Sequence, residues 1–183
     1  GDHFGGLPFL FLEYLYETPR SRPLIIVGPV GTEERVQALH QAMYRELAKR
    51  PCCFDIQFQE LTPGQAAVVH GVQLFPFRVP HQEQDISLGY RVEAEGHAIL
   101  YSGDCGWNED LVRYSQGTDL FVCECCYFKT EASFHISYPK IAQEQHRLGC
   151  KRLVLSHIGR EVLGRLNEVS IECTHDGMVI EIP

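Results

Sequence analysis

Four short segments of the chain carry the residue types of a metal site. In three of these segments the metal-type residue follows an apolar run: His81 after FPFRVP, Asp104 after ILYSG and His157 after RLVLS. The fourth segment is Asp2-His3, at the start of the sequence. Carboxylate and imidazole ligands without a thiolate are typical of a catalytic Zn²⁺ site with an open position, and they also suit Mn²⁺ or Fe²⁺. We therefore expect a metal centre whose segments converge on Asp104.

The bulk composition limits the class of protein. The 183 residues, with 44% apolar and 22% charged side chains, are typical of one globular domain with its own core. The net charge of −8 argues against a general nucleic-acid surface, because such a surface needs clustered Lys and Arg. The net charge does not exclude a local basic groove. The longest apolar run, Leu7–Leu12, is too short to span a membrane, and no segment resembles a signal peptide. We therefore expect a cytoplasmic protein without a membrane partner.

The eight cysteines are expected to be reduced, buried thiols, because nothing in the sequence indicates secretion. Neither Cys52-Cys53 nor Cys123-x-Cys125-Cys126 has the paired C-x-x-C spacing of a zinc knuckle. The cysteine pattern therefore disfavours a cysteine metal site.

Helical spacing and turn residues predict the start of the fold. A very apolar helix is expected over residues 8–17, buried on all sides. A strand over 23–27 then turns through Gly28-Pro29-Val30-Gly31 into a helix that has Thr32 as its N-cap and ends at Pro51. This turn is expected to be structural, although a phosphate bound at the helix N-terminus is the alternative.

Alternating apolar residues predict a mostly antiparallel meander from Phe54 to Tyr101. Strands over 120–125 and 152–156 follow, with a helix near 108–115 and another that begins after Ser137. The C-terminus is expected to form a hairpin across His175-Asp176-Gly177. Helices among strands that are partly apolar on one face predict an α/β fold, with sheets covered by helices.

The metal-type segments also resemble the motifs of the metallo-β-lactamase superfamily, in which a His-x-His-x-Asp-His turn, a His, a bridging Asp and a final His bind two metals. Gly1–Pro8 resembles the second half of that turn, and His81 with Leu88-Gly89-Tyr90 resembles the third motif. Asp104 resembles the bridging aspartate, and His157 resembles the final histidine. The resemblance implies one metallo-β-lactamase-like αββα sandwich over 1–183, with antiparallel or mixed sheets and without the family's N-terminal strands.

The resemblance also divides the ligands between two metals. One metal would be held by Asp2, His3, Asp104 and His157, whereas the other would keep only His81 and the shared Asp104. The two leading histidines of the first motif are missing from this sequence, so we expect a longer gene product and a weak or empty second site in this chain. The expected cofactor is Zn²⁺, with Mn²⁺ or Fe²⁺ as alternatives.

Within the superfamily, the chain resembles the ribonuclease Z-like phosphodiesterases. Phe121–Phe128 resembles their His-Glu-Ala-Thr-Phe segment, with Glu124 at the acid and a cysteine at the flanking His. Phe134-His135-Ile136-Ser137 resembles their His-x-Ser/Thr segment. The resemblance implies that His135 assists the scissile phosphate and that Glu124 orients it. Taken alone, His135 has a plainer reading as a surface residue at the start of a helix.

The resemblance implies a dinuclear-metal hydrolase that uses metal-activated water on a small or cyclic phosphodiester or on RNA, with Asp2 also accepting the proton of the water. Three alternatives stay open: a ribonuclease Z-type tRNA 3′ endonuclease, a hydrolase of lactones, esters or thioesters, and a non-catalytic scaffold. No insertion before His81 is long enough for the tRNA-gripping arm of the family, which favours a small substrate. The expected partners are a small phosphodiester or an RNA 3′ end, and a homodimer is an open alternative.

Overall fold

The computed structural model describes residues 3–49, 53–83 and 86–182. The chain divides into two compact units, Gly1–Thr62 and Pro63–Pro183. A single hydrolase domain over 1–183 stays a prediction. Asp2 lies outside the described residues, so its expected role also stays a prediction. Within the described ranges, none of the helices has both the length and the hydropathy of a membrane span.

The first unit contains a pair of parallel strands that are joined in the sequence by a helix. Its helices are α1 (Leu7–Leu12), which continues as a π-helical segment over Glu13–Glu17, and α2 (Thr32–Met43). Its strands are β1 (Leu24–Pro29) and β2 (Ile56–Leu61), which pair in parallel. The prediction that β2 starts the antiparallel meander is wrong. In the sequence, α2 follows β1 and precedes β2. It supplies the long crossover connection that a parallel pair requires.

Three details of the first unit also differ from the sequence prediction. The predicted helix over 8–17 is present, but it is not buried on all sides, because Phe9 is 57% and Tyr16 is 62% exposed. Folded proteins keep much apolar surface, so apolar residues on every face do not require burial.

The bounds of α2 are the other two differences. Thr32 is the first residue of α2, and Gly31 is its N-cap. The prediction that this helix ends at Pro51 is wrong, because α2 ends at Met43, where the backbone of Tyr44 leaves the helical conformation, and residues 45–49 form turns. Pro51 itself lies outside the described residues.

A side chain of the first unit fills the N-terminus of α2. Glu60 Oε1 accepts hydrogen bonds from the backbone N–H of Gly31 at 3.0 Å and of Glu33 at 3.1 Å. A phosphate at this position would need the same donors, since the first N–H groups of a helix have no partner within it. The contacts therefore favour the structural turn over a phosphate site.

In the described part of the second unit, seven strands form one mixed sheet in the order β3-β4-β5-β6-β7-β8-β9. The strands are β3 (Ala67–Val69), β4 (Val72–Val79), β5 (Ser87–Ala94), β6 (His97–Tyr101), β7 (Leu120–Glu124), β8 (Arg152–Ser156) and β9 (Glu172–Cys173). The pairs from β3 to β6 are antiparallel, and those from β6 to β9 are parallel. The predicted meander is thus confirmed for β3 to β6.

Helices connect the parallel strands and complete the core of the second unit. They are α3 (Glu109–Ser115), α4 (Tyr138–Glu144), for which Ser137 is the N-cap as predicted, and α5 (Arg160–Leu163). Leu100, Phe121 and Leu155 of the central strands are fully buried. Leu111 of α3 and Ile141 of α4 belong to the same cluster. Parallel strands that are covered in this way read as continuous apolar runs, which is why β6, β7 and β8 were recognisable from the sequence.

The predicted C-terminal hairpin is wrong. The turn is present, since Met178 N donates to His175 O at 3.1 Å, but residues 178–182 form no strand in the part of the chain that the structure describes. Instead β9 extends the parallel side of the sheet next to β8. The guanidinium of Arg152 holds Glu172 at 2.8 Å, and Thr174 N donates to Leu155 O at 2.8 Å. These long-range contacts, rather than the local turn, determine the partner of β9.

Candidate metal centre

Three parallel strands of the second unit end at the same edge of the sheet and deliver acidic and imidazole side chains there. β6 leads to Asp104, β7 ends on Glu124, and β8 leads to His157. His157 Nε2 lies 3.2 Å from Asp104 Oδ2. The structure therefore brings Asp104 and His157 into contact, although the two residues are 53 positions apart in the sequence. Their roles as metal ligands stay predictions.

The turn that carries Asp104 depends on a glycine. Gly103 has φ of +61°, in the left-handed region that favours glycine, and a Cβ atom there would lie 2.7 Å from Leu88 O. After the turn, Gly106 N donates to Pro80 O at 2.7 Å and fixes the far side of the loop. The carboxylate of Asp104 is held in a nearly buried position, with 6% of the residue exposed.

Glu124 is a buried carboxylate that accepts hydrogen bonds on both oxygens. Oε1 accepts from Cys105 N and lies 3.0 Å from His135 Nδ1, and Oε2 accepts from Ile136 N at 3.1 Å. Burial raises the pKa of Glu124 to about 7, and the N–H donors of Cys105 and Ile136 oppose this rise. These contacts tie the Asp104 loop to the His135 segment. The role of Glu124 as an orienting group for His135 stays a prediction.

His135 lies at the centre of a cluster of three histidine rings. Its ring centroid is 5.0 Å from that of His81, at an interplanar angle of 75°, and 5.3 Å from that of His157, at 10°. When Glu124 is ionised it can only accept, so the contact then places a proton on His135 Nδ1 and leaves Nε2 for other partners. The side chain of His135 is partly exposed to solvent, at 21%.

His81 has the hydrogen-bond pattern of a ligand histidine. Its Nδ1 lies 3.1 Å from Phe134 O, and a carbonyl oxygen can only accept, so Nδ1 carries the proton and Nε2 is the atom with a lone pair. Histidines that bind metals commonly donate their second ring N–H to a carbonyl or a carboxylate in this way.

The backbone of His157 has φ of +49°, a conformation that is uncommon outside glycine and occurs in turns and at functional sites.

Two groups of side chains in the described residues present their ligand atoms within 4.8 Å of one another: Asp104 with Glu124 and His157, and Cys126 with His135 and His157. The oxygen and imidazole donors of the first group fit the divalent cations predicted from the sequence. Cys126 belongs to no predicted site. Its position after Glu124 gave no spacing signal, because only the pairing of β7 with β8 brings it to His157.

The remaining predicted ligands are described less fully. His81 belongs to neither group, although its ring lies against His135. His3 is exposed in the turn that precedes α1, in the first unit. Asp2 lies outside the described residues.

A family model described as the beta-lactamase superfamily domain matches residues 1–158. The chain belongs to the beta-lactamase superfamily. The predicted α/β class is confirmed, and this superfamily chain has the metallo-β-lactamase fold, with mixed sheets and helices.

Three of the proteins to which this chain is similar differ in their identity and coverage. An uncharacterised protein of Mycobacterium tuberculosis is 27% identical over 162 residues, which cover 86% of this chain and 58% of that protein. Ribonuclease Z of Lachnoclostridium phytofermentans is 25% identical over an alignment of 211 positions, which covers 86% of this chain and 66% of the enzyme. The crystal structure of human tRNase Z, short form, has a TM-score of 0.75 and 23% identity and covers 100% of this chain and 76% of its own. The superfamily chain thus spans less than two thirds of the length of these sequence relatives.

Proposed function

We propose that the protein to which this chain belongs is a metal-dependent phosphodiesterase that hydrolyses a small or cyclic phosphodiester or RNA. The observation that carries the proposal is the Glu124–His135 pair, at 3.0 Å, beside the contact between Asp104 and His157, at 3.2 Å. A carboxylate–imidazole pair next to a candidate metal site supplies a proton donor in addition to metal ligands. Hydrolysis of a lactone or thioester would leave this pair without a role.

The ligand set of the proposal combines residues of the described site with those implied by the family motifs. Asp104, His157 and His81 would hold Zn²⁺, Mn²⁺ or Fe²⁺ together with Asp2 and His3. One or two divalent cations at such a site activate water at neutral pH and offset the negative charge that develops on a phosphoryl group. Use of two metals belongs to the proposal, as does their sharing of Asp104.

In the proposed reaction, His135 Nε2 faces the leaving oxygen of the phosphodiester. When the ring is protonated, Nε2 donates its proton to that oxygen as the bond to phosphorus breaks. Glu124 accepts from Nδ1 and so keeps the ring oriented, while its own carboxylate is held by Cys105 N and Ile136 N. His135 is therefore proposed as a catalytic residue and Glu124 as a positioning residue.

Ribonuclease Z activity on the 3′ side of a tRNA is the second candidate. It is favoured by the relative of that name, which matches 86% of this chain, and by the fold shared with human tRNase Z. The net charge of −8 favours a small phosphodiester instead, because tRNA binding needs positive charge against the phosphates.

The first test replaces Asp104 in the full-length protein. With bis(p-nitrophenyl) phosphate as substrate, Asp104→Ala is expected to abolish metal-dependent turnover and to lower the metal content measured by elemental analysis. Asp110→Ala is the matched control, since Asp110 is a half-exposed carboxylate on α3 that forms a 3.8 Å ion pair with Arg113. Turnover by Asp104→Ala at the rate of this control would contradict the proposed site.

The second test separates proton donation from metal binding. His135→Gln is expected to slow cleavage of an alkyl phosphodiester or an RNA by about 10²-fold or more. Its effect on bis(p-nitrophenyl) phosphate is expected to be much smaller, because p-nitrophenolate leaves without a proton. His146→Gln, at an exposed histidine whose Nδ1 lies 2.8 Å from Gln143 O, is the control. Equal losses on both substrates would exclude His135 as the proton donor.

A further inference from the structure

Cys126 lies beside the histidine cluster and has no part in the proposed reaction. We infer that Cys126, His135 and His157 form a further cation site, the Cys126 site. This site binds a thiophilic divalent cation such as Zn²⁺ or Cd²⁺, and the bound cation blocks turnover. The ligand atoms of the three side chains lie within 4.8 Å of one another. The effect on turnover rests on the proposed function, whereas the binding of the cation does not.

The backbone around Cys126 holds its thiol at this position. Cys126 N donates to Ile136 O at 3.1 Å, which ties it to the His135 segment, and Cys125 N donates to Ser156 O at 2.8 Å, which ties it to the end of β8. A Cβ atom on Gly159 would lie 1.9 Å from Cys126 O and 3.2 Å from Cys126 Sγ. The loop after His157 therefore passes directly over Cys126, and it can do so only because residue 159 is glycine.

The three donors suit a thiophilic cation better than they suit Mg²⁺ or Ca²⁺. One thiolate and two imidazoles match the Cys₂His and related ligand sets that bind Zn²⁺ with an open fourth position. Bond lengths of about 2.0–2.3 Å place the ligand atoms of a tetrahedral site about 3.3–3.6 Å apart. The side chain of His157 is 41% exposed, so it can rotate through the ångström or so that closing the site requires.

The Cys126 site competes with the proposed catalytic site for two imidazoles. His157 belongs to both ligand groups, and its Nε2 already lies 3.2 Å from Asp104 Oδ2. Binding at Cys126 would also occupy the free Nε2 of His135, because Nδ1 is held by Glu124. A cation on Cys126 therefore removes the proposed proton donor from the reaction. The result is inhibition by excess Zn²⁺ or by low Cd²⁺.

The binding test follows Cd²⁺–thiolate charge-transfer absorbance in the ultraviolet as Cd²⁺ is added to the full-length protein. Cys126→Ser is expected to lose one equivalent of the band and to lower the affinity of that equivalent at least about tenfold. Cys53→Ser, at an exposed thiol of the first unit, is the matched control and keeps the band. His135→Gln is a second variant that keeps the thiol, and it is expected to weaken the same equivalent. Titrations in which the Cys126 and Cys53 variants coincide would overturn the site.

The kinetic test compares inhibition by Zn²⁺ added beyond the amount that gives maximal turnover. The wild type and Cys53→Ser are expected to be inhibited, whereas Cys126→Ser resists at least about tenfold higher Zn²⁺ relative to its own maximal rate. Identical inhibition curves would overturn the regulatory part of the inference. If no variant hydrolyses a phosphodiester, the proposed function fails, and the absorbance titration still decides the cation site.

Discussion

At the scale of single residues, two close approaches of the backbone hold the candidate site together. A Cβ atom on Gly106 would lie 1.9 Å from Ser133 O, and one on Gly159 would lie 1.9 Å from Cys126 O. Carbonyl oxygens of the backbone cannot rotate away as a side chain does. A single methyl group at either position therefore has to displace a loop that carries candidate site residues.

We predict that Gly159→Ala lowers the free energy of unfolding by about 1–3 kcal/mol, because it overpacks this contact. Trp107, the one tryptophan of the sequence, packs against the core of the second unit, so its fluorescence during urea denaturation reports this change. Gly164→Ala is the control, since Gly164 has φ of −72° and its added Cβ would meet Arg160 O at an ordinary 3.5 Å. Equal effects of the two substitutions would refute the close approach.

At the scale of elements, the short helix α5 holds the loop that precedes His135. Glu161 Oε2 accepts from the backbone N–H of Phe128, Lys129 and Thr130 at 3.0, 2.8 and 3.1 Å, and Oε1 accepts from the hydroxyl of Thr130. The hydroxyl contact, followed by the backbone contacts, lowers the pKa of Glu161 from its ordinary 4.5 to about 2. The ionised carboxylate therefore stabilises the fold.

The sign of the pH dependence follows from this lowered pKa. The contribution of Glu161 is fully present above pH 4.5 and is lost as the pH falls towards 2. We predict that Glu161→Gln lowers the urea midpoint at pH 7 and that its difference from the wild type shrinks at pH 3. Glu181→Gln, at an exposed carboxylate near the C-terminus, is expected to change neither midpoint. A Glu161→Gln deficit that is the same at both pH values would exclude the ionised carboxylate as its cause.

At the scale of the whole molecule, the second unit is organised by the core under its parallel strands. Phe121 is fully buried in β7, among Leu100, Leu111 and Leu155. We predict that Phe121→Ala costs about 3–5 kcal/mol of unfolding free energy, from lost burial and the cavity that is left. Val179→Ala, at a side chain that is 83% exposed, is expected to cost less than about 0.5 kcal/mol. Urea denaturation measures both, and a similar small cost for each would show that Phe121 is not a core residue.

The candidate site could be predicted where its chemistry is local in the sequence. Asp104 and His157 each follow an apolar strand and a turn residue, and Glu124 and His135 each lie in a short motif, so their neighbours along the chain identify them. Cys126 could not be found in this way. Its two partners are 9 and 31 positions away, and no periodicity of the sequence relates them.

The sequence by itself determined the central strands β6 to β8, the antiparallel meander over β3–β6 and the ends of β6 to β8, because apolar runs, alternation and turn residues act over a few residues. Only the tertiary structure decided that β2 pairs in parallel with β1 and that β9 pairs with β8. Pairing across a helix or a long loop depends on which distant surfaces bury each other best, and local patterns carry no record of that choice. For the same physical reason, the thiol of Cys126 meets two histidines only after β7 and β8 have come together.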